Sequence, residues 1–350
     1  MNYSHYQQIL ASRRFLLLLI MTFAILGTSC QMPQEQISIG TATEGQLLVY
    51  TTLSDNQVNE YLRTFNTEYP NIDVRYVNGA TGVVAERFFR EADDPRADVI
   101  WSLATTSILL AEWQGLLKAY RPKGLSKINS RFRDPANPPN WVGMYVWMSA
   151  FCINHDLIKE LELPAPTSWE ELLNPVYEGH IVMPSPHKTG TGFLAVSTIF
   201  QIYGDAEGWE YLDQLDQNVV KYSDDTSSLC SGKYPIGITY ALQGLTKKTE
   251  DQRIEVVFPT EGSGWEMETS ALVQKRQIKP AAKTFLDWAT SQQAMETYAA
   301  DWALTSARTD IPIPDGYPTN PAAQLIDTDF PWAAANRARI LSEWDKRYGN

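Results

Sequence analysis

The chain has 350 residues and carries 41 Asp and Glu against 29 Lys and Arg, a formal net charge of -12. An acidic chain with no basic run excludes nucleic acid as a partner and disfavours anionic membrane surfaces. The length allows two lobes, each with a core of its own.

In chain order, Arg13 and Arg14 precede an apolar run from Phe15 to Leu26, then the small residues Gly27, Thr28 and Ser29, then Cys30. A basic patch, a short apolar core and a small-residue exit predict a secretory signal over residues 1–29. The run is about a dozen residues, short of the ~20 that span a bilayer as a helix. Its exit resembles the lipobox of bacterial lipoproteins, with Gly27 where such sites carry Leu. On that reading Cys30 is lipidated and tethers the protein to a membrane; the alternative is an ordinary cleaved signal with an incidental cysteine. Residues 30–44, mostly polar and small, read as a flexible tether.

Residues 46–53 form an apolar run predicted as a buried strand. Ser54 or Asp55 caps a helix whose apolar face is Val58, Tyr61, Leu62 and Phe65. A second strand at 71–77, a turn at 79–82, a helix at 83–92, a third strand at 97–103 and a helix at 107–113 follow. That alternation predicts parallel pairing with right-handed crossovers. The long apolar strand at 145–153 suits a crossing between lobes. Thr167 and Glu170 have the spacing of a capping box and predict a helix start. Strands are expected at 181–184, 236–240 and 254–258, a helix from Phe193, and a loop at 264–268. From Pro280 the pattern is mostly helical. The result is an α/β protein of two lobes, each a mixed sheet flanked by helices, divided as residues 45–145 plus 241–290 and residues 146–240 plus 291–350.

Nothing in the chain asks for catalysis. The four histidines, His5, His155, His180 and His187, are scattered. There is no GxSxG elbow, HExxH, Walker loop or GxGxxG, so no enzyme, cofactor or metal site is expected. With Cys30 lipidated, Cys152 and Cys230 remain as a disulfide, which an oxidising compartment favours, or as two separate buried thiols.

Hydroxyl and glycine residues recur at strand ends just before helices: Thr51-Thr52-Leu53-Ser54, Ala80-Thr81-Gly82, Ala104-Thr105-Thr106-Ser107 and Thr189-Gly190-Thr191-Gly192. Helix N-termini present free N–H groups and partial positive charge, and accept an anion without Lys or Arg. In open α/β sheets, ligands sit at the carboxyl ends of strands. Each turn alone is most simply a helix cap; four in register with two lobes predict an anion-accepting cleft. Glu266 and Glu268, beside Trp265, supply the complementary half, since carboxylates near an aromatic plane hold an amine. As plain loop charges they would only be solvated. The polar run Asp224-Asp225-Thr226-Ser227-Ser228 is a second candidate loop.

Several stretches together resemble the substrate-binding proteins of 2-aminoethylphosphonate ABC transporters, within the ferric-iron-binding-like, type 2 periplasmic binding group. They are Ala97-Asp-Val-Ile-Trp101 with Ala104 to Ser107, Arg131-Phe-Arg-Asp134 with Pro138-Pro-Asn-Trp-Val-Gly-Met144, Pro166-Thr-Ser-Trp169, Gly179-His-Ile-Val-Met-Pro184, Thr189 to Phe193, Tyr234-Pro-Ile-Gly-Ile238, Gly264-Trp-Glu-Met-Glu268 and Asp329-Phe-Pro-Trp-Ala333. The resemblance implies a monomeric two-lobed flytrap in the periplasm that closes on a small-molecule ligand and delivers it to a permease with its ATPase. It implies a phosphonate held by Thr81, Thr106, Ser107, Thr191 and Ser227 and an amine held by Glu266 or Glu268. Thr52, Gly82, Thr189, Gly190, Tyr240 and Trp265 complete the candidate set. Cys152 and Cys230 fall where such proteins carry cysteine, which supports the bridge. The chain departs from the family after Tyr240, where Ala241, Leu242 and Gln243 replace an acid, a Tyr and an Arg, and in its short 230–234 segment. The implied ligand is therefore 2-aminoethylphosphonate or a related small phosphonate or organic anion. A ferric-ion binder of the same fold is the alternative: Asp224, Asp225, Glu266 and Glu268 offer oxygen ligands, although the Tyr-Tyr pair usual in such proteins is missing.

Overall fold

The computed structural model describes residues 45–302 and 305–349; the predicted signal, the tether and Cys30 lie outside the described residues. The first strand, β1 (Gln46–Thr51), leads into helix α1 (Asp55–Glu68). Ser54 caps that helix through a reciprocal box: its hydroxyl accepts from the Gln57 N–H, and its own N–H donates to the Gln57 side chain at 2.8 Å. Val58, Tyr61, Leu62 and Phe65 are the buried face, as their helical spacing dictates. Next come β2 (Asp73–Asn78), α2 (Thr81–Arg90), β3 (Val99–Ala104), α3 (Thr105–Trp113), β4 (Leu117–Lys118), β5 (Val142–Asn154) and α4 (His155–Glu160). The second half holds β6 (Ile181–Pro184), α5 (Gly190–Tyr203), α6 (Asp205–Asn218), β7 (Val219–Ser223), β8 (Ile236–Tyr240), α7 (Ala241–Glu250), β9 (Ile254–Val257) and β10 (Trp265–Val273). The chain closes with α8 (Pro280–Ala289), α9 (Gln292–Trp302), β11 (Thr305–Ser306), α10 (Pro321–Gln324) and α11 (Phe330–Tyr348).

The strands form one mixed sheet in the order β2-β1-β3-β10-β5-β8-β6-β7, with β4 beside β10 and β9 and β11 beside β5. β1 pairs in parallel with β2 and β3, and β6 in parallel with β7 and β8, as the strand–helix alternation predicts. β5 joins the two halves. Met148 and the residues before it pair with β10, whereas Ser149 to Ile153 pair with β8. One hydrophobic core surrounds the first half and another, built on Phe151, Trp169, Phe200 and Ile238, fills the second. Of residues 291–350, Ala294, Met295, Tyr298, Ile311, Tyr317, Leu325 and Ile326 pack in the first core, and Ile340 and Trp344 in the second. Cys152 on β5 is bridged to Cys230, with Cα atoms 5.5 Å apart. Among the described residues no helix is long and apolar enough to cross a membrane.

Two expectations are corrected. The helix start at Thr167 is only a 3-10 turn, Glu170–Leu173. The Glu261 carboxylate accepts the N–H groups of Trp169 and Glu170 at 3.0 and 2.9 Å, and Pro175 blocks extension. Residues 264–268 are not a loop: Glu266 and Glu268 belong to β10, a central strand buried along its whole length.

Candidate functional site

The carboxyl ends of β1, β2, β3 and β6 converge on a cavity of about 780 Å³. Its lining draws on both halves of the sheet: Thr52, Thr81, Thr106 and Ser107 follow strands of the first, and Thr189, Gly190 and Phe193 open α5 in the second. Convergence there follows from the fold, because parallel strands end where their crossover helices begin.

β10 forms one wall. Side chains alternate along a strand, so Glu266 and Glu268 turn to the same side, into the cavity, and Met267 between them turns away. Register sets Trp147 of β5 against Glu266 and Tyr145 against Glu268, and both aromatic residues line the same cavity. Gly264 lets the strand enter close to α5, since a Cβ there would collide with the Thr198 side chain.

Both carboxyl groups are buried and bonded. Glu266 accepts from the backbone N–H of Thr105 at 3.2 Å, the Thr106 hydroxyl at 3.2 Å and the Met267 N–H at 2.9 Å. It therefore caps α3 itself. Glu268 accepts from the hydroxyls of Ser102 at 3.2 Å and Thr52 at 3.3 Å. Ser102 holds a left-handed backbone, φ 63°, inside β3, and β10 steps past it from Trp101 to Leu103. Its carbonyl accepts the Thr52 N–H at 2.9 Å and the Thr52 hydroxyl at 2.8 Å. Burial pushes both glutamates up to about 7; for Glu268 the neighbouring Glu266 charge adds to burial, and the bonded hydroxyls pull back.

The other walls differ in charge. The Thr189 hydroxyl caps α5 by accepting the Gly192 N–H at 2.9 Å. α11 turns Phe330, Ala333, Ala334 and Arg337 toward the cavity. The Arg337 guanidinium lies 4.1 Å from the Phe193 ring centroid, and its pKa is lowered by burial against an opposing contribution from Glu266. Exposed Lys188 and His187 complete this side, with His187 bonded to Asp345 at 3.2 Å.

Of the residues predicted from sequence, Thr52, Thr81, Gly82, Thr106, Ser107, Thr189, Gly190, Trp265, Glu266 and Glu268 line this cavity. Thr191, Ser227 and Tyr240 do not. Thr191 is buried in the first turn of α5. Ser227 is engaged by Asp225, its hydroxyl donating to that carboxylate at 2.6 Å. Tyr240 meets Trp147 edge on, with centroids 6.2 Å apart. Thr52 and Thr106, expected as anion donors, are bonded to the glutamates instead. Where the resemblance called for an acid, a Tyr and an Arg, Ala241 and Leu242 pack in the first core and the Thr239 hydroxyl donates to Gln243 at 2.8 Å. Sequence reasoning missed Ser102, Tyr145, Trp147, Phe193 and Arg337. The period-two match of Tyr145 and Trp147, and the helical phase of Arg337 with Phe330, were the available signals.

The chain belongs to the bacterial extracellular solute-binding protein family, whose sequence model matches residues 94–332. It is 24% identical over 320 residues to an uncharacterised protein of Haemophilus influenzae, covering 88% of this chain and 92% of that one. It is also 24% identical over 303 residues to a putative 2-aminoethylphosphonate-binding periplasmic protein of Salmonella typhimurium, covering 80% and 84% of the two chains. Among solved structures it is similar to the periplasmic binding protein AfuA of Actinobacillus pleuropneumoniae, determined with fructose-6-phosphate bound. That comparison has a TM-score of 0.74 and 24% identity and covers 87% of this chain and 99% of AfuA. The fold is that of the two-lobed periplasmic binding proteins.

Proposed function

We propose that this solute-binding protein captures 2-aminoethylphosphonate, or a related small phosphonate or organic anion, for an ABC uptake transporter. The observation that carries this reading is the pair of buried carboxyl groups, Glu266 and Glu268, in a cavity that also presents a helix N-terminus and a guanidinium. Carboxylates attract the amine by charge-assisted hydrogen bonds, and Trp147 adds an aromatic face. Thr81, Ser107, Thr189 and Gly190 remain the candidates around the acidic group. With Ala241 and Leu242 in the core, the buried carboxyl groups offered to the amine come from β10. The similarity to a putative 2-aminoethylphosphonate-binding relative supports the same ligand class. For the ferric-ion reading, solved ferric-binding proteins such as that of Campylobacter jejuni share the fold, while among the described residues no group of three or more His, Cys, Asp or Glu stands close enough to hold a metal ion.

In this account the protein works as a monomer in the periplasm, tethered through lipidated Cys30, and presents its closed form to a permease and its ATPase. The first lobe is built on the core that runs from Leu47 to Ala150 and from Ala241 to Ile326, the second on the core from Phe151 to Ile238 with the end of α11. The first lobe thus takes in Ala294, Met295, Tyr298, Ala307, Ile311, Tyr317, Leu325 and Ile326. Closure occurs about β5 near Ser149 and about β8, the strands that link the two cores, and the ligand drives it by binding the closed form more tightly.

A thermal-unfolding series tests the reading. At a concentration of about 100 Kd, a ligand of one site adds roughly 2.7 kcal/mol to stability. 2-Aminoethylphosphonate is expected to raise the midpoint, and inorganic phosphate is expected to leave it near the ligand-free value. A shift with ferric ion and none with any phosphonate would overturn the proposal.

A further inference from the structure

We infer that Arg337 receives the anionic group of the ligand, so that the site selects short molecules with an amine at one end and an acid at the other. This rests on the reading above and assigns one half of its ligand to a single residue. Arg337 follows Phe330, Ala333 and Ala334 at spacings of seven, four and three residues, which place all four on one face of α11. That face lines the cavity.

The other arginines near it on the same helix are satisfied. Arg339 pairs with Asp205 at 2.6 Å and Arg347 with Asp213 at 2.8 Å. Arg337 makes no hydrogen bond and no ion pair with any described residue; its guanidinium lies over the Phe193 ring. A guanidinium has five N–H donors in a planar fork, and desolvating it without acceptors is unfavourable. The ring occupies one face of the fork and leaves its edge for an acceptor. Ala333 and Ala334 line the cavity beside it.

The cavity is thereby divided by charge. Glu266 and Glu268 repel an anion and attract an amine. Arg337 does the reverse; it forms no ion pair with either glutamate, although Glu266 is near enough to act on its charge. A phosphonate or a carboxylate matches its fork in two parallel bonds.

Titration calorimetry with four probes separates the ends: 2-aminoethylphosphonate, β-alanine, ethylphosphonate and ethanolamine. Arg337→Gln is expected to weaken binding of 2-aminoethylphosphonate about 10- to 100-fold. Its affinity for ethanolamine, which lacks the acid, stays within about twofold, a difference of less than RT. Comparing β-alanine with 2-aminoethylphosphonate tells which acid the fork prefers. Where Arg337→Gln does not fold, Arg337→Lys keeps the charge and the stem but loses the fork. It is then expected to lower affinity for the two amino acids and leave ethanolamine unchanged. If the folded variant binds 2-aminoethylphosphonate like wild type, Arg337 has no such role, and the functional reading stands without it. If wild-type protein binds none of the four probes, both fall.

Discussion

Glu266 and Glu268 stand two residues apart on β10 and turn both carboxyl groups into the same cavity, each held by hydroxyl or backbone donors of the neighbouring strand ends. Two acids so close and so buried resist ionising together. The site is therefore poised to gain from a bound cation.

The pair makes ligand-free stability depend on pH. Both carboxyl groups are raised from an ordinary value of 4.5 to about 7, so between these limits the native state holds protons that the unfolded chain has released. A raised acid pKa means stability falls as pH rises through that window and levels off above it. Denaturant melts from about pH 5 to about pH 8 are expected to lose a few kcal/mol. Glu266→Gln should flatten the profile. A profile of equal slope in wild type and variant would contradict the assignment.

Ligand binding carries the opposite dependence. An amine favours the ionised pair, so affinity for an amino ligand is expected to rise between about pH 5 and about pH 7.5, with protons released on binding. Calorimetry in buffers of different ionisation heat measures that release directly. Glu268→Gln should reduce both the release and the pH dependence. Binding without proton release below about pH 7 would show that the amine does not meet these groups.

Ser102 combines a left-handed backbone with a hydroxyl on Glu268. Ser102→Gly and Ser102→Ala both remove the hydroxyl, but only glycine relieves the backbone. The glycine variant is expected to be more stable than the alanine variant by about 1 kcal/mol, measured by urea unfolding. Equal stability would mean that the turn of β3 carries no strain.

The Cys152–Cys230 bridge closes a separation of 78 residues. Reduction is expected to lower unfolding stability by about 2–5 kcal/mol, without loss of ligand affinity, since neither cysteine lines the cavity. Melts with and without reductant check the first part, and calorimetry on the reduced protein checks the second.

Much of this architecture is legible in the sequence, for a physical reason. Strands buried on both faces, such as β3 and β8, read as mostly apolar runs rather than as alternating ones, and the hydroxyl turns before the helices mark where those helices begin. β10 escaped because its Trp-Glu-Met-Glu alternation carries two acids, and acids in a central strand normally argue for solvent. The donors that make them tolerable, Thr52, Ser102, Thr105 and Thr106, come from segments more than 150 residues away and are brought there only by register. Thr191 lay in a correctly placed turn, yet one step of helical phase sends it into the core. Arg337 looked like any other basic residue of a C-terminal helix, and only its phase relative to Phe330, Ala333 and Ala334 distinguishes it from Arg339.

The central claim is a cavity that holds a small amino-anion, and isothermal titration of the protein without residues 1–29 tests it most directly. 2-Aminoethylphosphonate is the ligand, with ethylphosphonate and inorganic phosphate as controls. The account predicts one site, with the amino compound bound at least about 10-fold more tightly than ethylphosphonate, because only it reaches Glu266 and Glu268. Equal binding of ethylphosphonate, or no binding of the amino compound, would contradict it.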